Sequence, residues 1–209
     1  MPIVFAAISP HPPILLPDIG SEEDRKKVNK TIGSLEILEK KFKETNSEKI
    51  IISSPHSDWG FNVPLYFIAK NFQGEIKNFL TEFFSLEPPS FCFEKGKEIY
   101  QSEVKNSKSK IGLIASGDLS HCLKSEGPYG FHSDGPEFDK NLIKFLKKKD
   151  VKNILKLEDM WPNAGECGLR SFAFLLGILE SAKINWQPEI LSYEGPFGVG
   201  YLVANFNFL

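Results

Sequence analysis

Three times along the chain an apolar run gives way to a turn of small residues and then to a histidine. This repetition narrows the possible folds more than any other feature. Residues 3–8 lead into Ser9-Pro10-His11, residues 50–52 into Ser53-Ser54-Pro55-His56, and residues 111–115 into Ser116-Gly117-Asp118-Leu119-Ser120-His121. Short continuous runs rich in β-forming residues read as strands buried on both faces. Between the first two runs, Ser21, Glu23 and Asp24 give an acidic helix start that suits the helix dipole. Val28, Ile32, Leu35, Leu38 and Phe42 then recur at helical spacing. Strand, helix, strand is the order of a parallel βαβ unit. In a parallel sheet the three turns share the carboxyl edge, where open α/β sheets bind ligands. His11, His56 and His121 are therefore expected to meet there. Pro10 and Pro55 fix the backbone just before two of these histidines, which suits imidazoles that must be held within a few tenths of an ångström.

The rest of the pattern continues an α/β chain. Helices are expected over about 94–105, 136–149 and 166–181, with closing strands at 191–193 and 199–208. Residues 60–90, with Gly, Pro and many Phe, read as short strands and loops. The run Lys147-Lys148-Lys149 falls at a helix C-terminus, where the dipole favours cations, and reads as a solvated end. Gly195, Gly198 and Gly200 precede a strand instead of opening a helix, so they read as a turn and not a nucleotide loop. With 209 residues, 41% of them hydrophobic and 18 of them Phe, the chain suffices for one large core, and a single domain over 1–209 is expected. A net charge of −2 offers no basic surface for nucleic acid. Residues 1–8 are apolar but lack a basic leader and are soon interrupted by proline, so no membrane segment is expected and the cytoplasm is the default address. The odd count of cysteines (Cys92, Cys122 and Cys167) reads as buried free thiols in a reducing compartment. A Phe-rich stretch at 79–93, if unburied, would suit a homo-oligomer contact.

Glu166 follows Asn163-Ala164-Gly165 and opens an apolar helix. A carboxylate in that place serves either the helix dipole or a metal ion. With His11 and His56 it would complete two imidazoles and one carboxylate, the ligand set of non-haem Fe(II) oxygenases. Zn(II) is chemically possible with the same donors.

Five motifs, taken together, resemble a known family. Ser9-Pro10-His11-Pro12-Pro13, Ser54-Pro55-His56-Ser57 and Ser116-Gly117-Asp118-Leu119-Ser120-His121 are similar to the class III extradiol ring-cleavage dioxygenases, the LigB-like superfamily. Gly165-Glu166-Cys167-Gly168-Leu169-Arg170 and the segment from Tyr193 to Tyr201 resemble its AmmeMemoRadiSam/Memo-like branch. The resemblance implies a three-layer α/β sandwich around a central, mostly parallel or mixed sheet. It implies metal ligation by His11, His56 and Glu166, with Fe(II) expected. It implies His121 as the acid/base that steers substrate or oxygen, with Asp118 or Ser120 orienting it. The implied activity is an oxidoreductase acting on a small catecholic or related aromatic molecule. The alternatives are a non-ring-cleaving metal-binding or accessory protein with radical-SAM or Memo-type partners, and a metal-dependent hydrolase. No residue stands out as an anchor for a substrate carboxylate, although Arg170 is available. His132 matches no family ligand and reads as a loop residue. Ser116, Asp118 and His121 sit too close in one turn for a serine-hydrolase relay, and no Gly-x-Ser-x-Gly elbow is present.

Overall fold

The computed structural model describes residues 2–81 and 87–209. Six strands form one sheet: β1 (Ile3–Ser9), β2 (Lys49–Ser54), β3 (Glu75–Leu80), β4 (Ile111–Ser116), β5 (Trp186–Glu194) and β6 (Tyr201–Phe208). Their order across the sheet is β3-β2-β4-β1-β6-β5. The first four pair in parallel, and β6 then runs antiparallel to both β1 and β5. The sheet is thus mixed, with a parallel core.

Side chains alternate between two hydrophobic layers, as the period-2 pleat requires. Ile51, Leu113, Ala115, Leu202 and Ala204 face one layer, and Ile50, Ile52, Ile114 and Val203 face the other. In β1 the alternation slips. Ile3 and Ala6 share a face, because a register irregularity lies between Ile3 and Phe5. The first layer is covered by α4 (Pro89–Ile99), α5 (Asp134–Lys148), the short α6 (Val151–Ile154) and α7 (Leu157–Met160), and α8 (Leu169–Ser181). The second is covered by α2 (Asn29–Thr45) and α3 (Trp59–Ile68), with the short α1 (Glu22–Lys26) leading into them. Helices on both faces of one sheet make the expected three-layer sandwich.

Some local expectations need correction. The helix anticipated from Ser21 to Phe42 is two helices. Ser21 caps α1 by accepting the Asp24 N–H at 3.0 Å. α1 buries no residue, whereas Val28 in the break is fully buried. The turn before α2 therefore carries a polar first helix away from the core while tucking Val28 under it. Within 60–90, read as strands and loops, α3 forms despite Pro64 in its interior. Its Phe61, Val63 and Ile68 are buried, and burial of this kind outweighs a propensity penalty of about 3 kcal/mol. The helix expected from 94 begins earlier, at Pro89, and ends in a π-helical turn, Tyr100–Val104.

Phe79 and Phe93 pack against the core, Phe79 with its ring 5.1 Å from that of Phe174. Residues 82–86 of the Phe-rich stretch lie outside the described residues. No helix among the described residues is long and apolar enough to cross a membrane.

Candidate metal centre

The carboxyl ends of β1, β2 and β4 adjoin in the sheet, and each delivers a functional residue two positions past its last residue. These are His11 after Ser9, His56 after Ser54 and Asp118 after Ser116. The His11 and His56 rings stand edge to face with centroids 5.2 Å apart. His11 is buried and His56 is exposed. Beside His11 Nδ1, at 2.9 Å, lies the hydroxyl of Ser116. With the proton on Nδ1 and Ser116 accepting, Nε2 presents a lone pair to the site, the usual way an outer partner fixes a ligating imidazole. Burial first, and the neighbouring His56 second, push His11 down to about 3, so its ring is neutral in ordinary buffers.

The third donor beside these imidazoles comes from the segment that precedes α8. Cys167 Sγ lies 3.8 Å from His11 Nε2, and donor atoms of His11, His56 and Cys167 all fall within 4.8 Å of one another. Two glycines explain how this segment reaches the sheet edge. A Cβ on Gly117, just past β4, would sit 2.2 Å from the Gly168 Cα, so the two backbones can touch only because neither residue has a side chain. Two hydrogen bonds then fix the contact: Gly168 N–H donates to the Asp118 carbonyl at 3.0 Å, and Asp118 N–H donates to Cys167 Sγ at 3.4 Å. Burial, and then the nearby Asp118 and Glu166 carboxyls, raise the Cys167 thiol well above its ordinary value. A divalent cation would displace that proton.

Asp118 is buried against the same atoms. Its Oδ1 accepts the His11 backbone N–H at 3.0 Å, and its Oδ2 lies 3.9 Å from His11 Nε2. Burial lifts its carboxyl to about 6. Asp118, His121 and Cys167 form a second trio of donors within 4.8 Å of one another. His121 is half-buried, and its Nε2 is buried without a hydrogen-bond partner among the described residues. An orphaned ring nitrogen in a cleft wall suits a group that meets a ligand. Its imidazole is held below its ordinary value, chiefly by burial, and its ring lies 5.2 Å from that of Tyr129.

Glu166 is placed differently from the sequence expectation. Its Oε2 accepts the Leu169 N–H at 2.6 Å at the start of α8, and it belongs to neither trio. Burial lifts its carboxyl to about 7. Ser120 also acts elsewhere. Its hydroxyl donates to the Ala164 carbonyl at 2.7 Å and accepts the Cys122 N–H at 2.9 Å, so it ties the loop together and does not orient the His121 ring. His132 lies in a loop, where its Nδ1 accepts the Asp134 N–H at 3.1 Å. Cys167 and Ser116 are the residues that sequence reasoning passed over. Cys167 stood inside the Gly-Glu-Cys-Gly motif, but cysteine count alone assigned it to the core.

Above these donors opens a cleft of about 590 Å³, walled by Pro12, Pro13, Trp59, Pro128, Tyr129 and Val199. That is the size of a small-molecule site. Two imidazoles and a thiolate, buried on one side and open on the other, fit a transition-metal ion such as iron or zinc.

The comparisons agree with this architecture. An uncharacterised Escherichia coli K12 protein of known crystal structure, JW3007, shares the fold with a TM-score of 0.63 and 13% identity, over 98% of this chain and 100% of its own. Protein CA_C1420 of Clostridium acetobutylicum is 31% identical across 92% of this chain. The match covers 55% of that relative, so the chain spans about half its length. The model of the catalytic LigB subunit of aromatic ring-opening dioxygenase matches residues 56–204, which begins at His56 and takes in His121 and Cys167. A chain with this sheet, this convergence of donors at its carboxyl edge and this match over most of its length belongs to the LigB family of aromatic ring-opening dioxygenase catalytic subunits.

Proposed function

We propose that the chain is a metal-dependent, extradiol-type ring-opening dioxygenase that acts on a small catechol. The observation that carries this reading is the juxtaposition of His11, His56 and Cys167 donors beneath an open, aromatic-walled cleft. Those three residues would hold the ion, with Fe(II) the expected metal and Zn(II) the alternative. Fe(II) bound there supplies polarisation of the substrate oxygens and electron exchange with dioxygen.

The chain's own residues do the rest. Trp59, Tyr129 and the prolines give the substrate ring apolar faces and limit water. With Ser116 accepting from Nδ1, the His11 ring would offer Nε2 to the ion. His121, with its unpartnered Nε2 in the cleft wall, accepts a phenolic proton from the substrate and returns one to the product. Asp118 keeps the His11 backbone in place through a 3.0 Å hydrogen bond.

Glu166 is the rival third ligand. That role requires its carboxylate to leave the Leu169 N–H, and a pair of variants separates the two arrangements. Metal content after equilibrium dialysis should collapse in Cys167→Ser and persist in Glu166→Gln, and the reverse pattern assigns the third position to Glu166. The activity test supplies Fe(II)-loaded protein with catechols and oxygen. A ring-opened chromophore, lost in His121→Ala, supports the reading. An iron-loaded protein that consumes no oxygen with any catechol refutes it.

The thiolate favours a second reading, in which the site binds metal without ring opening, because soft donors also suit structural or transfer sites. Full metal loading without oxygen uptake would select it. The narrower Memo-like assignment, and with it radical-SAM or Memo-type partners, rests on the motifs at 165–170 and 193–201 alone.

A further inference from the structure

We infer that the cleft selects catechols bearing a neutral or cationic substituent and discriminates against those bearing a carboxylate. This inference rests on the catechol reading above and adds the charge class of the substrate.

The charged side chains in the cleft wall are of one sign apart from the imidazoles. Asp58 and Asp118 line it, and among the described residues no lysine or arginine does. Arg170, Lys124 and Lys27 are engaged elsewhere. Arg170, the residue the sequence offered as an anchor, places Nη2 3.0 and 3.2 Å from the two Glu158 oxygens and donates from Nε to the Glu87 carbonyl at 3.0 Å. Lys124 donates to the Pro196 carbonyl at 2.9 Å. Lys27 pairs with Asp24 at 2.8 Å and lies over the Phe197 ring.

Asp58 stands at the exposed rim, next to Trp59, and its side chain makes no hydrogen bond or ion pair among the described residues. Asp118 is buried at the base. With a divalent ion and a Cys167 thiolate in place, the two carboxylates leave the fixed charge of the site net negative.

A catechol already brings negative oxygens to the ion. A further carboxylate on the ring would lose water against this wall and meet no counter-charge, which is costly. An ammonium on a short side chain would meet Asp58 instead. Most of the remaining wall, the three prolines and Val199 with Trp59, Tyr129 and Tyr201, offers contact without charge. Discrimination of this kind works by exclusion as much as by attraction.

Three probes of similar size differ mainly in side-chain charge: 3,4-dihydroxyphenylethylamine, 4-ethylcatechol and 3,4-dihydroxyphenylacetate. Their affinities are to be measured by titration calorimetry on Zn(II)-loaded protein, where no turnover intrudes, at low and at high salt. The amine and the neutral catechol should bind about tenfold or more tighter than the acetate. Asp58→Asn should remove the advantage of the amine over 4-ethylcatechol, and added salt should shrink it, because an exposed charge is screened. Equal or tighter binding of the acetate overturns the inference and leaves the catechol reading standing. Failure of all three to bind metal-loaded protein overturns the catechol reading and the inference with it.

Discussion

The two edges of the parallel sheet each carry a depression of similar size, and they could hardly differ more in chemistry. At the carboxyl edge, a cleft of about 590 Å³ has buried or half-buried His11, Asp118, His121 and Cys167 gathered at its base. At the amino edge of β2 and β3, a hollow of about 540 Å³ is bordered by Phe42, Lys43, Glu48, Lys70 and Phe72. Its polar side chains are largely exposed, and its floor is the Phe42–Phe72 ring pair, with centroids 5.7 Å apart. Volume alone therefore does not mark a functional site. What marks it is polar atoms held out of water in incomplete pairings. At the carboxyl edge such atoms gather where successive parallel strands end together.

The comparison can be broken most directly by truncating one buried ring at each edge. His11→Ala should reduce metal affinity by more than ~100-fold, since loss of an outer partner alone typically costs 10–100-fold. Phe42→Ala should leave metal affinity unchanged but lower stability by about 3–5 kcal/mol. Dialysis against metal and urea unfolding of both variants measure the two effects. A Phe42 variant that lost metal while still folded would erase the distinction between the edges. Next in size is Ser116→Ala, which removes the hydroxyl beside His11 Nδ1 and should weaken metal binding roughly 10–100-fold with little change in stability.

A pH test sharpens the boundary of the polar edge. Asp139 on α5 accepts the Tyr193 hydroxyl at 2.6 Å and the Ser120 N–H at 2.8 Å, and so braces the loop that carries His121. Burial nonetheless lifts its carboxyl to about 7. The folded chain thus holds this proton more tightly than the unfolded chain does. The resulting stability is complete below about pH 4 and is lost as pH rises through about 7. Asp139→Asn should flatten the decline between those values, read by urea unfolding across a pH series. Smallest of all, Lys70→Ala at the rim of the amino-edge hollow should change stability by no more than about 0.5 kcal/mol and metal affinity not at all.

The sequence is most legible where structure is local. Three apolar runs, each with a turn and a histidine, were enough to place His11, His56 and His121 at one sheet edge, because a parallel sheet leaves such turns nowhere else to go. The three-layer sandwich that the family resemblance implies is the one observed. What stayed hidden depends on contacts between distant segments. Cys167 joins His11 across more than 150 residues of chain only because Gly117 and Gly168 let two backbones touch, and neither glycine announces its partner. Ser120 and Asp118 looked interchangeable as supports for His121, yet one ties down a loop and the other faces the donors. Helix α3 was missed because Pro64 and its aromatic neighbours argue locally against a helix that packing enforces.

The antiparallel pairing of β6 with β1 has a practical consequence. β1 leaves the amino edge at residue 3 and β6 returns to that same edge at residue 208, so these two residues lie on neighbouring strands at one edge of the sheet. A strand of this length spans roughly 20 Å. An affinity tag, a fluorophore or a fused domain joined at either terminus would start on the far side of the molecule from the cleft. Ends can thus be tethered to a surface or a reporter with the cleft mouth still facing outward.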